Sequence, residues 1–396
     1  MSIQINNQRF VLETENTCLI LKVRNGFLER AYYGAKIIDY DIDYLRNDQI
    51  LGFCPYDKTA GLRYTYAGGK YEYSGENSGD SRACAVNIID ENGYIGCRLK
   101  YRGCEKVTAL PEDYVMPSVR GVAEGIKITL FDENKKVAVD LYYYIAEECD
   151  VICRFARINN EGEEKISLTA AASLQIDFEN PNFEVISYSG GCGSEFRLER
   201  QKLLKGKYEI SSSAGMTGHA SNPFIALCSS NATEENGDCY AFNLLYSGNF
   251  KNLLDYDERN FLRLVCGIND KNFNWTLEKG ASFYTPQAVA TFSDHGIGGA
   301  SRNMHKLIRG RILPPQFNKP APVVANTWES YGFNVTEEKF IKFAEKADLS
   351  GADTVVLDDG WFRCDDKSGL GDWQLIKDKF PDGLDFCVKK LRELNL

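Results

Sequence analysis

Short apolar segments alternate with polar turns through roughly the first 290 residues of the chain. Branched and aromatic residues dominate these segments, and clusters of Asn, Gly, Asp and Glu separate them. The clearest examples are GIKITLFDE (125–133), VAVDLYYYIAE (137–147), VICRFARINN (151–160) and ISLTAAASLQIDF (166–178). Because few windows have a helical period, the pattern predicts many short strands without intervening helices. Such a pattern is typical of antiparallel sheets packed as a sandwich, here a large one.

A helical pattern begins near residue 296 and marks a boundary. In GGASRNMHKLIRGRILPP (298–315), four apolar residues fall on one helical face, and Pro314-Pro315 ends the helix. The four apolar residues are Met304, Leu307, Ile308 and Ile312. The segment therefore predicts a connecting helix between two domains.

The pattern after residue 320 is that of a strand, a helix and a second strand. The two strand candidates are APVVANTW (321–328) and DTVVL (353–357). Between them, Thr336 is a predicted helix cap and Gly351 a predicted C-terminal turn. The predicted buried face of the helix contains Phe340, Ile341, Phe343, Ala344 and Ala347. A β-α-β order predicts parallel strands with a right-handed crossover, and ligand sites in such folds lie at the carboxyl ends of the strands.

These changes of pattern predict three segments. Residues 1–295 form an antiparallel β domain, 296–320 a linker helix and linker, and 321–396 the beginning of a parallel α/β domain. The predicted fold class is therefore multidomain, β followed by α/β. A length of 396 residues agrees with two or three domains.

Composition and charge exclude several classes of function. The formal charge of −10 and the pI near 5.1 repel phosphate backbones, so we expect no nucleic acid partner. The start, MSIQINNQRFVLE, lacks the features of a signal peptide, and no run of about 18 apolar residues follows. We therefore expect a cytoplasmic protein without a membrane partner.

Cysteine and histidine patterns do not indicate a metal site. The thirteen cysteines include no C-x-x-C spacing, and the chain has three histidines. Reduced and mostly buried thiols are the favoured interpretation. Phosphate-binding loops and the G-x-S-x-G motif are also missing from the sequence, which predicts no required cofactor.

Two adjacent aspartates, Asp358 and Asp359, follow the second predicted strand in VVLDDGWF (355–362). Taken alone, Asp-Asp-Gly is typical of a solvated turn. Its surroundings favour a sugar-binding site, because three of the four tryptophans lie in this last part of the chain. They are Trp328, Trp361 and Trp373. An aromatic ring can stack on the C–H face of a sugar while carboxylates accept hydrogen bonds from its hydroxyls, although core packing is the alternative for at least one tryptophan.

At these residues the sequence resembles the family 36 glycoside hydrolases, the α-galactosidases related to melibiases. The strings that carry the resemblance are NTWESYGFNVTEEKF (326–340), GADTVVLDDGWF (351–362) and GLGDWQLIKDKFPDGL (369–384). In the β-rich part they are TGHASNPFIAL (217–227), LLYSGNF (244–250) and FYTPQAVATFSDHG (283–296). The resemblance implies that the β domain is a β-supersandwich and that the last segment is the truncated start of a (β/α)8 TIM barrel.

The resemblance also implies roles for individual residues. Asp358 and Asp359 match an aspartate pair that holds galactose hydroxyls, and Trp328 matches an aromatic residue near the substrate. Further motif positions near the substrate are Trp361, Asp372 and Trp373. Asp80 and Arg82, in SGDSRAC, resemble an amino-terminal motif that reaches the rim of the active site, in one reading from a neighbouring subunit.

The resemblance implies the activity of an α-galactosidase, which cleaves terminal α-galactosides of the melibiose and raffinose type with retention. A retaining glycosidase needs a nucleophile and an acid/base, two carboxyl groups about 5–5.5 Å apart across the scissile bond. In the family the nucleophile belongs to a Lys-Trp-Asp motif, which this chain lacks. We therefore expect both catalytic carboxyl groups beyond Leu396, and no activity of residues 1–396 alone.

One alternative remains open at this point. The chain could be a non-catalytic carbohydrate-binding or oligomerisation module derived from such an enzyme. In either case the expected partner is a galactose-containing oligosaccharide, and the full-length form is expected to be a homo-oligomer.

Overall fold

The computed structural model describes residues 3–45, 52, 54–58, 65–179, 181–317, 319–362 and 371–396. The chain forms two compact units, Met1–Pro314 and Pro315–Leu396. Within the described ranges, no helix combines the length and the apolar character that crossing a membrane requires.

The first unit consists mainly of β-strands. Its first ten strands are β1 (Ile3–Asn6), β2 (Arg9–Glu13), β3 (Thr17–Arg24), β4 (Phe27–Ala35), β5 (Val86–Asp90), β6 (Lys100–Val107), β7 (Gly125–Asp132), β8 (Val137–Ala146), β9 (Val151–Asn160) and β10 (Ile166–Glu179). The next ten are β11 (Phe183–Gly191), β12 (Ser194–Lys202), β13 (Gly206–Ser212), β14 (Phe224–Ser229), β15 (Cys239–Leu244), β16 (Phe250–Tyr256), β17 (Phe261–Ile268), β18 (Trp275–Leu277), β19 (Ser282–Tyr284) and β20 (Ala288–Ser293). The helix α1 (Gly296–Leu307) follows β20, and short 3-10 turns lie at Asp43–Leu45, Tyr66–Gly68 and Glu147–Cys149. The four segments quoted from the sequence match β7 to β10, with ends that agree to within 1 residue.

The strands of this unit form three sheets. β1 to β4 follow one another in a four-stranded sheet. A six-stranded sheet has the order β13-β16-β17-β10-β18, with β5 also paired to β10. A ten-stranded sheet has the order β12-β11-β14-β15-β20-β9-β8-β7-β6, with β19 also paired to β9. Neighbouring strands in these sheets run antiparallel, as the sequence pattern predicts.

Strand β8 illustrates how the two main cores form. All of its residues are buried, and alternate side chains point to opposite faces of the ten-stranded sheet. Val139 and Leu141 belong to a large core shared with β10 and β17 of the six-stranded sheet. Tyr142 and Tyr144 belong to a second core that includes Met304 of α1. The ten-stranded sheet is therefore covered by the six-stranded sheet on one face and by α1 on the other.

The connecting helix keeps a fully buried face as far as Leu307, and Ile312 stays partly buried against the same core. Met304 and Leu307 are buried, as the pattern predicts. A π-helical turn then occupies Ile308–Ile312, ahead of the extended Leu313. Because a π turn is wider than an α turn, the 3.6-residue period is lost, and Ile308 is 37% exposed.

The second unit is a small α/β assembly. Its elements are a 3-10 turn at Pro315–Phe317, β21 (Val324–Asn326), α2 (Trp328–Tyr331), a 3-10 turn at Gly332–Asn334, α3 (Glu337–Leu349), β22 (Thr354–Val356) and α4 (Gly383–Glu393). β21 and β22 pair in parallel, with Asn326 opposite Val356. The predicted order of strand, helix and parallel strand is confirmed.

Helix α3 begins and ends as its sequence predicts. The Thr336 Oγ1 atom accepts a hydrogen bond from the Lys339 N–H at 3.4 Å, and Gly351 adopts a φ of +82° just after the helix. Phe340 and Ala344 are buried on its inner face. That face contributes to a core, and the fully buried members of this core are Val335, Phe340, Phe380 and Cys387.

Candidate functional site

Asn326 and Asp358 connect the carboxyl ends of the two parallel strands. Asn326 is the last residue of β21, and its Nδ2 atom donates a hydrogen bond to Asp358 Oδ2 at 2.7 Å. The buried Thr327 adds two further bonds. Its N–H donates to the Val356 carbonyl at 3.1 Å, and its Oγ1 accepts the Asp358 N–H at 3.0 Å. These contacts hold the Asp358 carboxylate in one orientation at the strand ends.

Asp359 lies next to this pair. Its N–H donates to Asp358 Oδ1 at 2.8 Å, and both aspartates are half-buried. Over the described parts of the chain, no donor forms a hydrogen bond to the Asp359 carboxylate. Because an ionised carboxylate only accepts hydrogen bonds, this group can receive hydroxyl groups of a ligand.

A tight turn fixes the backbone directly after the two aspartates. Gly360 has a φ of +104°, and a Cβ atom at this position would lie 2.8 Å from the Cα atom of Phe333. The Lys379 ammonium group donates to the Phe333 carbonyl at 2.6 Å and to the Gly360 carbonyl at 3.0 Å. Only glycine can occupy this position, because any Cβ atom would contact the Phe333 backbone. Lys379 links the turn to the residues after α2.

Trp328 stands beside the same strand ends. Its backbone N–H donates to Asn326 Oδ1 at 2.8 Å, so that the Asn326 side-chain amide contacts both Trp328 and Asp358. The Trp328 ring meets the Phe333 ring edge to face, with 5.1 Å between centroids, and the residue is 38% exposed. The sequence-predicted residues Trp328, Asp358 and Asp359 are thus brought together.

The other two tryptophans of this unit form a separate aromatic group. The Trp361 and Trp373 rings lie 6.1 Å apart between centroids, and Phe362 lies 4.8 Å from Trp373. Trp361 packs against the core of the unit, which agrees with the core-packing alternative, whereas Trp373 is 70% exposed. Asp372 is exposed, and its carbonyl accepts the Gln374 N–H.

The arrangement at the strand ends suits a neutral, hydroxylated ligand. Two carboxylates accept hydrogen bonds from hydroxyl groups, and an exposed indole can pack on an apolar C–H face. Among the residues that the structure describes, no group of three or more His, Cys, Asp and Glu side chains could hold a metal ion.

Asp80 and Arg82 lie in the first unit, inside an ion cluster with Asp177 and Arg263. Arg82 donates to both oxygens of Asp80, at 2.9 and 2.8 Å. Arg263 donates to Asp80 at 2.9 Å and to both oxygens of Asp177 at 2.6 and 2.7 Å. The side chains of Asp80 and Arg82 are 1% and 2% exposed. The structure therefore places them in the interior of the β domain, and their contact with substrate stays a prediction.

The two arginines control the ionisation of Asp80. Burial favours the neutral carboxyl group, but the charges of Arg263 and Arg82 outweigh burial and hold the pKa of Asp80 below its usual value. Burial likewise opposes the charge on Arg263, yet Asp177 and Asp80 keep the pKa of its guanidinium above the usual value. The cluster thus pairs two guanidinium groups with carboxylates in a buried environment.

The sequence-based reasoning missed Asn326, Thr327 and Lys379. A signal existed for the first two, because Asn-Thr follows the apolar residues of a predicted parallel strand just as Asp-Asp does. No local pattern indicated Lys379, because it lies 19 residues beyond Gly360, whose carbonyl it contacts.

Family models match almost the whole chain. Residues 26–278 match the glycosyl hydrolase family 36 N-terminal domain, and residues 282–396 match melibiase. The chain belongs to glycoside hydrolase family 36. This family 36 chain is 34% identical to the α-galactosidase AgaA of Geobacillus stearothermophilus, over 100% of the chain and 56% of that protein. It is 35% identical to α-galactosidase 1 of Pediococcus pentosaceus, over 98% of the chain and 54% of that protein.

Solved structures of the family share its fold. A variant of AgaA in complex with raffinose superposes with a TM-score of 0.92 at 32% identity, covering 98% of this chain and 55% of that structure. The α-galactosidase AgaB of Geobacillus stearothermophilus gives a TM-score of 0.92 at 32% identity, covering 100% of this chain and 56% of that structure. The family 36 chain therefore spans about half the length of the relatives that it matches.

Proposed function

We propose that the protein containing this chain is an α-galactosidase that hydrolyses terminal α-galactosides of the melibiose and raffinose type with retention. The names of its relatives support this activity, and AgaA variants have been crystallised with raffinose and with stachyose. The expected substrate is accordingly a galactose-containing oligosaccharide.

Asp358 and Asp359 hold the galactose unit by accepting hydrogen bonds from its hydroxyl groups, and Trp328 packs against the sugar. The observation that carries this assignment is the 2.7 Å contact between Asn326 and Asp358, which orients one carboxylate. The neighbouring Asp359 carboxylate accepts no hydrogen bond from the described residues. In the same proposal, Asp372, Trp373 and Trp361 border the substrate.

The second unit is proposed as the start of a (β/α)8 barrel. The parallel pairing of β21 with β22 supports this, as does the position of Asp358 and Asp359 after the second strand, because barrel enzymes carry their sites at the carboxyl ends of strands. The proposed domain division is a β-supersandwich at 1–295, a linker at 296–320 and the barrel segment at 321–396.

The proposal assigns no nucleophile or acid/base to residues 1–396. Retention requires two carboxyl groups about 5–5.5 Å apart on opposite sides of the glycosidic bond. Asp358 and Asp359 are neighbours at one strand end, and Asp358 is already engaged by Asn326. This arrangement supports a substrate-holding role for the pair and leaves the chemical step to other carboxyl groups.

Asp80 and Arg82 have two proposed roles. A direct contact with substrate at the rim of the site is the role that the family resemblance implies. Their buried ion pairs support a positioning role, in which they fix the segment around residues 69–83 on the β domain, because Arg82 also donates to the Gly69 carbonyl at 2.5 Å.

The proposal further includes a homo-oligomeric full-length protein in the cytoplasm. Twelve cysteines in the described residues are free thiols, which suits a reducing compartment. Light scattering of the complete gene product would measure its oligomeric state.

Release of nitrophenol from an aryl α-galactoside tests the proposed activity. The complete gene product is expected to release nitrophenol, and residues 1–396 alone are expected to release none. A complete gene product that binds galactosides without turnover would instead favour the non-catalytic module. Turnover by residues 1–396 that disappears in Asp358→Asn or Asp359→Asn would overturn the substrate-holding role of the pair.

A further inference from the structure

The fourth tryptophan of the chain, Trp275, lines a groove on the first unit. The groove has a volume of about 520 Å³. It is bordered by the residues before β16, by the segment from the end of β17 to β18, and by β19. It contains no residue of the strand-end site, which lies in the second unit.

Aromatic rings form one wall of this groove. Phe283 is buried at its base, with ring centroids 5.6 Å from Phe273 and 5.3 Å from Trp275. Trp275 is 51% exposed, so about half of its surface is available to a ligand. The Phe283 ring therefore packs against the indole, and Phe273 packs against Phe283.

Neutral polar groups also line the groove. The Asn249 Oδ1 atom accepts the Gly215 N–H at 2.7 Å, which fixes the amide. In the described parts of the chain, the Asn249 Nδ2, the Asn272 side chain and the Tyr246 hydroxyl form no hydrogen bond. Lys271 is the one charged residue among the described residues that line the groove. Apart from Lys271, the polar groups that line the groove are therefore neutral amides and hydroxyls.

We propose that this groove is a second, non-catalytic binding site for a neutral oligosaccharide. The indole would pack on the C–H face of one sugar unit, and the amide and hydroxyl groups would bind its hydroxyls. A concave volume of this size lies within the range of about 300–1,000 Å³ for small-molecule sites. The scarcity of charge disfavours an anionic ligand such as a phosphate.

Calorimetric titration of the whole 396-residue chain with stachyose tests this site. The background variant Asp358→Asn/Asp359→Asn removes the site of the proposed function, so the two sites are measured separately. We expect stachyose to bind this background variant. Adding Trp275→Ala should raise Kd about tenfold, which corresponds to about 1.4 kcal/mol. Trp275→Phe retains a ring and should keep most of the affinity.

Two further variants separate binding from folding. Tyr94→Ala removes an aromatic side chain that is 71% exposed and outside the groove, and it should leave Kd unchanged. Asn272→Gly removes an amide from the groove and preserves the left-handed backbone, whose φ is +61°. This variant should raise Kd severalfold while the circular dichroism spectrum stays that of the wild type.

Three results would overturn the proposal. The first is a background variant that does not bind stachyose, which leaves the proposed function intact. The second is a Kd that Trp275→Ala and Asn272→Gly leave unchanged. The third is a Trp275→Ala chain that dissociates from an oligomer to a monomer with unchanged stachyose binding, which would identify the groove as a contact between copies. If the wild-type chain binds stachyose no better than the background variant does, the sugar-holding role of Asp358 and Asp359 fails and the groove remains.

Discussion

Replacement of Arg263 by methionine should destabilise the first unit strongly. The Arg263 side chain is fully buried and donates to Asp177 at 2.6 and 2.7 Å and to Asp80 at 2.9 Å. After Arg263→Met, the two carboxylates share the single charge of Arg82, whose Nη1 lies 3.4 Å from Asp177 Oδ2. Removing one partner of a buried ion pair costs about 3–5 kcal/mol, because the other charge stays buried without compensation.

We expect the free energy of unfolding to fall by about 3–5 kcal/mol in a urea titration followed by far-UV circular dichroism. Arg102→Met is the matched control. Arg102 contacts both oxygens of Glu161 at 2.8 Å, but the two side chains are 46% and 41% exposed. An exposed pair of this kind contributes at most about 1 kcal/mol.

The cause of the loss can be tested with a second substitution. Adding Asp177→Asn to Arg263→Met removes one of the charges left unpaired, so part of the lost stability should return. Equal losses for Arg263→Met and Arg102→Met would refute the reasoning. So would a double variant that is less stable than Arg263→Met alone.

Three further predictions concern single residues. The pKa of Asp80 is lowered in the folded state, so its ionisation stabilises the fold above the unfolded pKa of about 3.9. This contribution is lost as the pH falls through the lower folded pKa. The difference in free energy of unfolding between wild type and Asp80→Asn, measured by circular dichroism, should therefore shrink below about pH 4. Gly360→Ala places a Cβ atom 2.8 Å from Phe333 at a φ of +104°, whereas Gly351→Ala meets open space at +82°. In urea titrations followed by tryptophan fluorescence, Gly351→Ala should cost about 1–2 kcal/mol and Gly360→Ala more, and the reverse order would contradict this account. Thr336→Ala removes a helix cap and should cost about 1 kcal/mol in the same titration, whereas an unchanged midpoint would show that the cap does not stabilise the unit.

The sequence predicts those parts of the molecule that depend on local pattern. The β7 to β10 segments, the Thr336 cap and the parallel order around α3 follow from side-chain periodicity and turn chemistry, which act over a few neighbouring residues. The end of α1 was less predictable, because the π turn at Ile308–Ile312 leaves no mark on the apolar pattern.

Contacts between distant residues account for the rest. Asn326 meets Asp358 across 32 residues, and Arg263 meets Asp80 across 183. In the sequence Asp80 and Arg82 are part of the polar string SGDSRAC, and only the folded sheet places Asp177 and Arg263 around them. Polar residues with no local signal can be buried when such partners exist.

The most direct test of the account is the sugar preference of the complete gene product. Rates of nitrophenol release would be compared for an aryl α-galactoside and the matching α-glucoside, which differ in the orientation of the 4-hydroxyl group. Each hydrogen bond to a charged group is worth about 1.5–3 kcal/mol, so Asp358→Asn and Asp359→Asn should each lower kcat/KM for the galactoside by about 10- to 150-fold and reduce the preference for it. Asp385→Asn, an exposed aspartate on α4, should change neither value. A galactoside kcat/KM and a sugar preference that both aspartate variants leave unchanged would contradict the account.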